Sequence, residues 1–136
     1  MFLAVMGTLG FAGHRVNAQE SYLPNPTLTS TVKGSVSLAG SEIPAFDPVS
    51  KRAFAASGTG VQVVDLTDPS APVFVSTLAP ATLAAASGVT SNDISSIAVR
   101  KGTGGGFSVL AAGVINSPKS SNGHVVFVRA DTLELL

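Results

Sequence analysis

Residues 61–78 read VQVVDLTDPSAPVFVSTL, and this stretch decides the fold. Two apolar runs, Val61–Leu66 and Val73–Leu78, flank a polar segment that contains two prolines. Proline fixes φ and cannot continue a helix, and an aspartate such as Asp68 accepts hydrogen bonds from the backbone that follows it. The stretch therefore predicts a β-hairpin whose two strands are joined by a rigid turn.

Further short apolar runs surround this hairpin in the order of a repeated unit. The first unit adds Glu42–Phe46 and Lys51–Ala56, and the second consists of Ser96–Val99, Phe107–Gly113, His124–Val128 and Leu133–Leu136. Short strands separated by turn residues are typical of β-propeller blades. We predict an all-β fold of antiparallel four-stranded sheet units, an incomplete β-propeller of about two blades. Blade 1 covers about 42–78 and blade 2 about 94–136.

The residues before and between the blades have their own patterns. Residues 1–18 resemble a secretory signal peptide, with an apolar run and a cleavage site after Ala18. The polar residues 19–27 form a linker, and the propeller part covers 28–136. Leu28–Leu38 predicts a strand broken at Gly34, and Thr82–Ala86 predicts a helical turn between the blades.

Composition excludes several classes of protein. The chain of 136 residues has a formal net charge of +0 and only 12% charged residues, against roughly 25% in soluble domains. It therefore has no electrostatic basis for binding nucleic acid. The apolar run at the start is too short to cross a bilayer, so we expect export without a resident membrane span. Because cysteine is absent, disulfides and thiolate metal sites are excluded.

The order of several motifs resembles the opening of the choice-of-anchor I family. The motifs are Glu42–Pro48, Ser50–Phe54, Val63–Leu66, Asp68–Ser70, Asn92–Lys101 and Gly123–Leu136. The segment from Asp65 to Pro72 is equally similar to the LVIVD repeat, another bacterial surface propeller. The resemblance implies a secreted or cell-surface β-propeller, in some members joined to phosphatase or phytase-like esterase modules. It places no catalytic residue on this chain.

No catalytic constellation is evident in the sequence. The glycine run Gly102–Gly106 lacks the lysine and the following helix of a phosphate loop, so it predicts a hairpin turn. His124 begins a predicted strand, and a lone histidine can act as a general base only with a nucleophile or carboxylate near it in space, so it is expected to be a packed or solvated strand residue. Five phenylalanines lie in predicted strands and are expected to be core residues: Phe46, Phe54, Phe74, Phe107 and Phe127.

Acidic and amide side chains beside loops are the only metal candidates. Asp93 and Asn92 come first, and Asp65, Asp68 and Asp131 are further oxygen donors of the kind that calcium prefers. No EF-hand spacing is present, and local turns stabilised by aspartate side chains explain the same residues. Calcium binding is therefore a hypothesis that no recognised calcium-binding motif in the sequence supports.

The sequence favours a secreted, periplasmic or cell-surface propeller fragment with a binding or scaffolding role. Its ligand would be an extracellular or surface molecule held by loops at 47–51, 87–93 and 116–123. The alternative is part of a calcium-dependent phosphoesterase or phytase-like propeller enzyme, and a third possibility is a degenerate gene product. Because two blades leave open edges, we also expect self-association.

Overall fold

The computed structural model describes residues 31–85 and 87–136, of which 32–136 form one compact unit. Within these residues lie seven strands and one short helix: β1 (Ile43–Asp47), β2 (Arg52–Ser57), β3 (Gly60–Asp65), β4 (Val73–Leu78), α1 (Pro80–Ala85), β5 (Ser91–Arg100), β6 (Val109–Asn116) and β7 (His124–Arg129). Strands β1 to β4 form an antiparallel sheet in sequential order, sheet A, and β5 to β7 form sheet B in the same manner. The predicted all-β, antiparallel class is confirmed.

The hairpin predicted at residues 61–78 is present as β3 and β4. Val61 pairs with Leu78 at the open end of the hairpin. At the turn, the Ser70 amide donates to Asp68 Oδ1 over 2.9 Å, and the Thr67 amide donates to Asp65 Oδ1 over 2.7 Å. Aspartate side chains thus fix the turn, as the sequence indicated.

Sheet B differs from the predicted second unit in the length and number of its strands. β5 has ten residues because two bulges add residues opposite β6 without breaking the pairing. The expected fourth strand at Leu133–Leu136 is reduced to a single bridge between Val128 and Leu135. Leu133 has a φ of 66°, so the chain turns sharply just before this bridge and pairs over only a few residues.

The strand expected at Leu28–Leu38 is not formed in its described part, residues 31–38, and residues 28–30 lie outside the description. A Cβ atom at Gly34 would lie 2.6 Å from the carbonyl oxygen of Pro69. The chain therefore passes directly over the β3–β4 turn, where no strand edge is available for pairing. The predicted signal peptide and linker, residues 1–27, also lie outside the described residues.

The core lies between the two sheets and is closed by the helix. Its buried members include Phe54 and Val63 from sheet A and Leu110 and Val128 from sheet B. Leu83, in α1, is 1% exposed and packs into the same cluster. The helical turn expected at Thr82–Ala86 corresponds to α1, which begins two residues earlier than predicted and packs apolar side chains into the core.

Backbone hydrogen bonds show which face of each sheet is turned to the other. The carbonyl of Ala56 accepts from the Glu42 amide, so the even-numbered residues of β2 direct their backbone groups towards β1. The carbonyl of Ser108 accepts from the Ala130 amide, so the even-numbered residues of β6 direct theirs towards β7, the strand that follows. In both strands these even-numbered residues point into the core.

In a strand of L-residues, the chain direction and the face to which a side chain points together fix the side on which that residue's N–H and C=O groups lie. The core-facing residues bond to the preceding strand in sheet A but to the following strand in sheet B. The two faces that meet in the core are therefore not equivalent. We call the face of sheet A that carries Phe54 its front and the face of sheet B that carries Leu110 its back. The opposite faces are the back of sheet A, which carries Gln62, and the front of sheet B, which carries Phe127. The front of sheet A thus lies on the back of sheet B.

The expectation that all five phenylalanines are core residues is wrong for four of them. Phe54 is fully buried, whereas the other four are 42–54% exposed: Phe46, Phe74, Phe107 and Phe127. Three of them lie on the back of sheet A or the front of sheet B, the two faces not in contact with the other sheet. Phe107 precedes β6 and lies under the Arg129 guanidinium, 4.3 Å from the ring centroid.

Candidate functional site

The three loops that are candidates for ligand binding lie at opposite ends of the sheet pair. The loop at 47–51 joins β1 to β2, at the end where Arg52 crosses to sheet B. The loops at 87–93 and 116–123 lie together at the other end. We name the two ends after Asp47 and Lys119, the residues that organise them.

The Asp47 end is built around a buried carboxylate. The Asp47 side chain is fully buried and accepts hydrogen bonds from the Val49 amide, at 3.1 Å, and from the Ser50 amide and hydroxyl. Burial raises the pKa of Asp47, but hydrogen bonds from the Ser108 and Ser50 hydroxyls and from the two amides outweigh it and lower the pKa overall. The carboxylate thereby closes the turn between β1 and β2.

A second link crosses the sheets at the same end. The Arg52 guanidinium donates to the carbonyl of Ala130, over 3.1 Å, and to the carbonyl of Asp131. The Asp131 carboxylate binds Arg129 instead, with an N–O distance of 2.7 Å, and this hydrogen bond lowers the pKa of Asp131. The charged side chains of Arg52, Arg129 and Asp131 are therefore all engaged in hydrogen bonds within the protein.

The Lys119 end is more open. Lys119 Nζ lies 2.9 Å from Asp93 Oδ2, and this hydrogen bond is the main cause of the lowered pKa of Asp93. The Ser117 amide donates to the carbonyl of Thr90 over 2.9 Å. These contacts bring the loops at 87–93 and 116–123 side by side, at the edge where β5, β6 and β7 begin or end.

The oxygen donors proposed for calcium do not converge in the structure. Asp93 is paired with a lysine, and Asn92 beside it is exposed. Asp65 and Asp68 lie in the β3–β4 turn and bind backbone amides there. Within residues 31–85 and 87–136, no group of three or more histidine, cysteine, aspartate or glutamate residues is placed to hold a metal ion.

The structure also places the glycine run and the histidine that the sequence analysis singled out. Gly102–Gly106 forms the turn between β5 and β6, as predicted; Gly104 and Gly105 have positive φ, and Gly106 donates to the carbonyl of Thr103. His124 is the first residue of β7, and its Nδ1 atom is buried without a hydrogen-bond partner. It lies beside the loop of Lys119 and lines the same shallow groove.

One apolar surface depression was not predicted from the sequence. The front of sheet B forms an open depression of about 510 Å³. Its lining residues are Ala98, Val99, Arg100, Val109, Ala111, Phe127 and Leu136. Phe127 is 50% exposed, and Val125 beside it on the same face is 60% exposed. The signal was available in the sequence, because β7 is apolar at successive positions and so presents apolar residues to both faces.

Comparison with known proteins gives no further identification. No family model matches the chain, and no curated protein or solved structure matches it either. Among the described residues, no helix is long and apolar enough to cross a membrane.

Proposed function

We propose that this chain is part of a secreted or cell-surface β-propeller with a binding or scaffolding role. The observation that carries the proposal is the front-to-back packing of two antiparallel sheets of sequential strand order. Each sheet in a ring has a neighbour on both faces, so successive blades must pack front to back. The first strands, β1 and β5, are adjacent, as the strands nearest a ring axis would be, and α1 adds Leu83 and Ala84 to the core between the sheets.

The ligand-binding region that we propose is the Lys119 end. Loops held on a rigid sheet are the usual place for binding residues. The loops at 87–93 and 116–123 are adjacent there, and they carry the exposed Lys119 and the partly exposed Asp93. These side chains can exchange their mutual ion pair for a ligand at low cost, since surface pairs contribute about 0–1 kcal/mol. At the opposite end, Asp47 and Arg52 are already used in structural hydrogen bonds.

Sedimentation with purified cell envelopes tests the binding role. We expect the chain to sediment with the envelopes and Lys119→Ala together with Asp93→Ala to reduce the bound fraction several-fold. A matched change at the other end, Asp68→Ala together with Ser70→Ala, should leave it unchanged. Equal loss for both double variants, or no sedimentation of the chain, would contradict the proposed site.

Export is tested separately by the mature amino terminus. If residues 1–18 are a signal peptide, the protein outside the cytoplasm begins at Gln19 when its mass is measured. Deletion of residues 1–18 should then keep the protein inside the cell. The resemblance to the choice-of-anchor I family supports this location.

The enzyme alternative predicts a different result. A calcium-dependent phosphoesterase requires carboxylates that converge on one cation, whereas the Asp93 carboxylate is bonded to Lys119. No observation on the described residues favours it. Hydrolysis of a phosphoester that depends on calcium and stops with a chelator would replace the binding role by this alternative.

A further inference from the structure

Three asparagines lie within residues 31–85 and 87–136, and they differ in the residue that follows each of them. They are Asn92, Asn116 and Asn122, and only Asn122 is followed by a glycine. The side-chain amide of an asparagine is open to attack by the backbone nitrogen of the next residue. Glycine hinders this attack least, because it has no Cβ atom and the widest backbone freedom. The sequence therefore favours Asn122 over the other two as a site of this reaction.

The loop at 116–123 leaves both reacting groups accessible. Asn122 and Gly123 are exposed, and neither belongs to a strand. None of the described residues accepts a hydrogen bond from the Gly123 amide or bonds to the Asn122 side chain. Within that part of the chain, no hydrogen bond has to break before the nitrogen reaches the side-chain amide.

The corresponding nitrogens beside the other two asparagines are engaged in hydrogen bonds. For Asn116, the next amide donates to the Thr90 carbonyl over 2.9 Å and to Asn116 Oδ1 over 2.8 Å. For Asn92, which lies inside β5, the next amide donates to Ser91 Oγ over 3.3 Å. Attack by either nitrogen requires these bonds to break first. The structure therefore selects the same asparagine as the sequence does.

We propose that Asn122 is a site of spontaneous deamidation. The Gly123 nitrogen forms a bond to Cγ of Asn122, the Cγ–Nδ2 bond breaks, and ammonia leaves with the proton that the attacking nitrogen gives up. This closes a succinimide ring, and the neighbouring position of the two groups in one chain makes the step possible without a catalyst. One water molecule then opens the ring at either of its two carbonyl carbons. The products are aspartate and isoaspartate, in which the main chain runs through Cγ.

Both products add a negative charge to the Lys119 end. Lys119 lies three positions before Asn122 in the same loop and bonds to Asp93 over 2.9 Å. A carboxylate at 122 offers this lysine a second partner. Isoaspartate also lengthens the main chain just before Gly123, which lies so close to β6 that a Cβ atom there would be 3.0 Å from the Val114 carbonyl oxygen. The effect on ligand binding rests on the proposed function of this end, whereas the reaction itself does not.

Tryptic mapping of the incubated protein tests the reaction, because each of the three asparagines falls in its own peptide. Cleavage after lysine and arginine gives the peptides 53–100, 102–119 and 120–129. During incubation of the folded chain at pH 8, we expect peptide 120–129 to gain the mass of an NH₂-to-OH replacement at least about tenfold faster than the other two. Its product should separate into an aspartate and an isoaspartate form. At pH 5 the conversion should be much slower, because the attacking nitrogen must lose its proton. Equal rates for the three peptides, or an unchanged peptide 120–129, would overturn the proposal.

Two substitutions at the same position separate the reaction from its effect. Asn122→Gln keeps a side-chain amide but adds a methylene group, so the attack would have to close a larger ring, and peptide 120–129 should stay unchanged. Asn122→Asp carries the product charge from the start. We expect it to bind cell envelopes about two- to fivefold less than Asn122→Gln, which is the size of an exposed ion pair. Equal binding of the two variants would refute the effect on the Lys119 end. If the natural chain does not bind envelopes, the proposed function fails while the peptide result still stands.

Discussion

Replacement of Asp47 by asparagine removes a buried charge while it keeps the shape of the side chain. Asp47 accepts three hydrogen bonds from Val49 and Ser50 in addition to the contact with Ser108. A hydrogen bond to a charged group contributes roughly 1.5–3 kcal/mol, and asparagine can retain the bonds to only one of the two oxygens. We expect Asp47→Asn to lower the free energy of unfolding by about 3 kcal/mol at pH 7.

The effect has a defined pH dependence. The pKa of Asp47 is lowered from its ordinary value of 3.8 in the folded protein. Its ionised form therefore stabilises the fold fully above about pH 4, and this contribution is lost as the pH falls through the lower folded pKa. The stability difference between the natural chain and Asp47→Asn should be constant from pH 7 to about pH 5 and should shrink below about pH 4.

Urea unfolding followed by circular dichroism at a series of pH values measures this difference. Asp68→Asn is the control, because Asp68 also accepts from a serine amide and hydroxyl but lies in an exposed turn. It should cost much less at every pH. A loss of under about 1 kcal/mol for Asp47→Asn at pH 7, or a difference that stays constant to pH 2.5, would refute the reasoning.

Three further predictions concern the core, a turn and the Lys119 end. Phe54→Ala should cost about 3–5 kcal/mol in urea unfolding, because it empties a fully buried site between the sheets. Gly60→Ala should also lower the urea midpoint strongly, because Gly60 has a φ of 127° and an added Cβ would lie 2.2 Å from the Leu78 carbonyl oxygen. Lys119→Gln should change stability by no more than about 0.5 kcal/mol, because its ion pair with Asp93 is exposed; a larger loss would show that this end is structural.

Local patterns predicted most of the strands correctly. The hairpin at residues 61–78 depends on contacts between near neighbours, such as those of Asp68 in its turn, and these are encoded where they occur. The same holds for the glycine turn between β5 and β6. Element type was therefore predictable wherever the turn residues and the apolar runs agreed.

Features that depend on distant parts of the chain were not predictable in this way. A strand of apolar residues does not indicate which face is covered, so Phe46 and Phe127 were placed in the core although both are half exposed. Residues 31–38 alternate in part, but the chain beside them is held by the Gln62 side-chain amide, which is 23 positions from its partner, Ala39. The pairing of Asp93 with Lys119 was not predictable for the same reason, since the two residues are 26 positions apart in the sequence.

The unequal bonding of the two ends has a consequence for how the protein can change over generations. At the Asp47 end, Asp47 accepts three hydrogen bonds within the β1–β2 turn and Arg52 binds two carbonyls of sheet B, so most substitutions there disturb several partners at once. At the Lys119 end, one exposed ion pair and one backbone bond join the loops. Substitutions and insertions at 116–123 should therefore be tolerated far more often, and a mutant library confined to that loop would explore new specificities on a frame that stays folded.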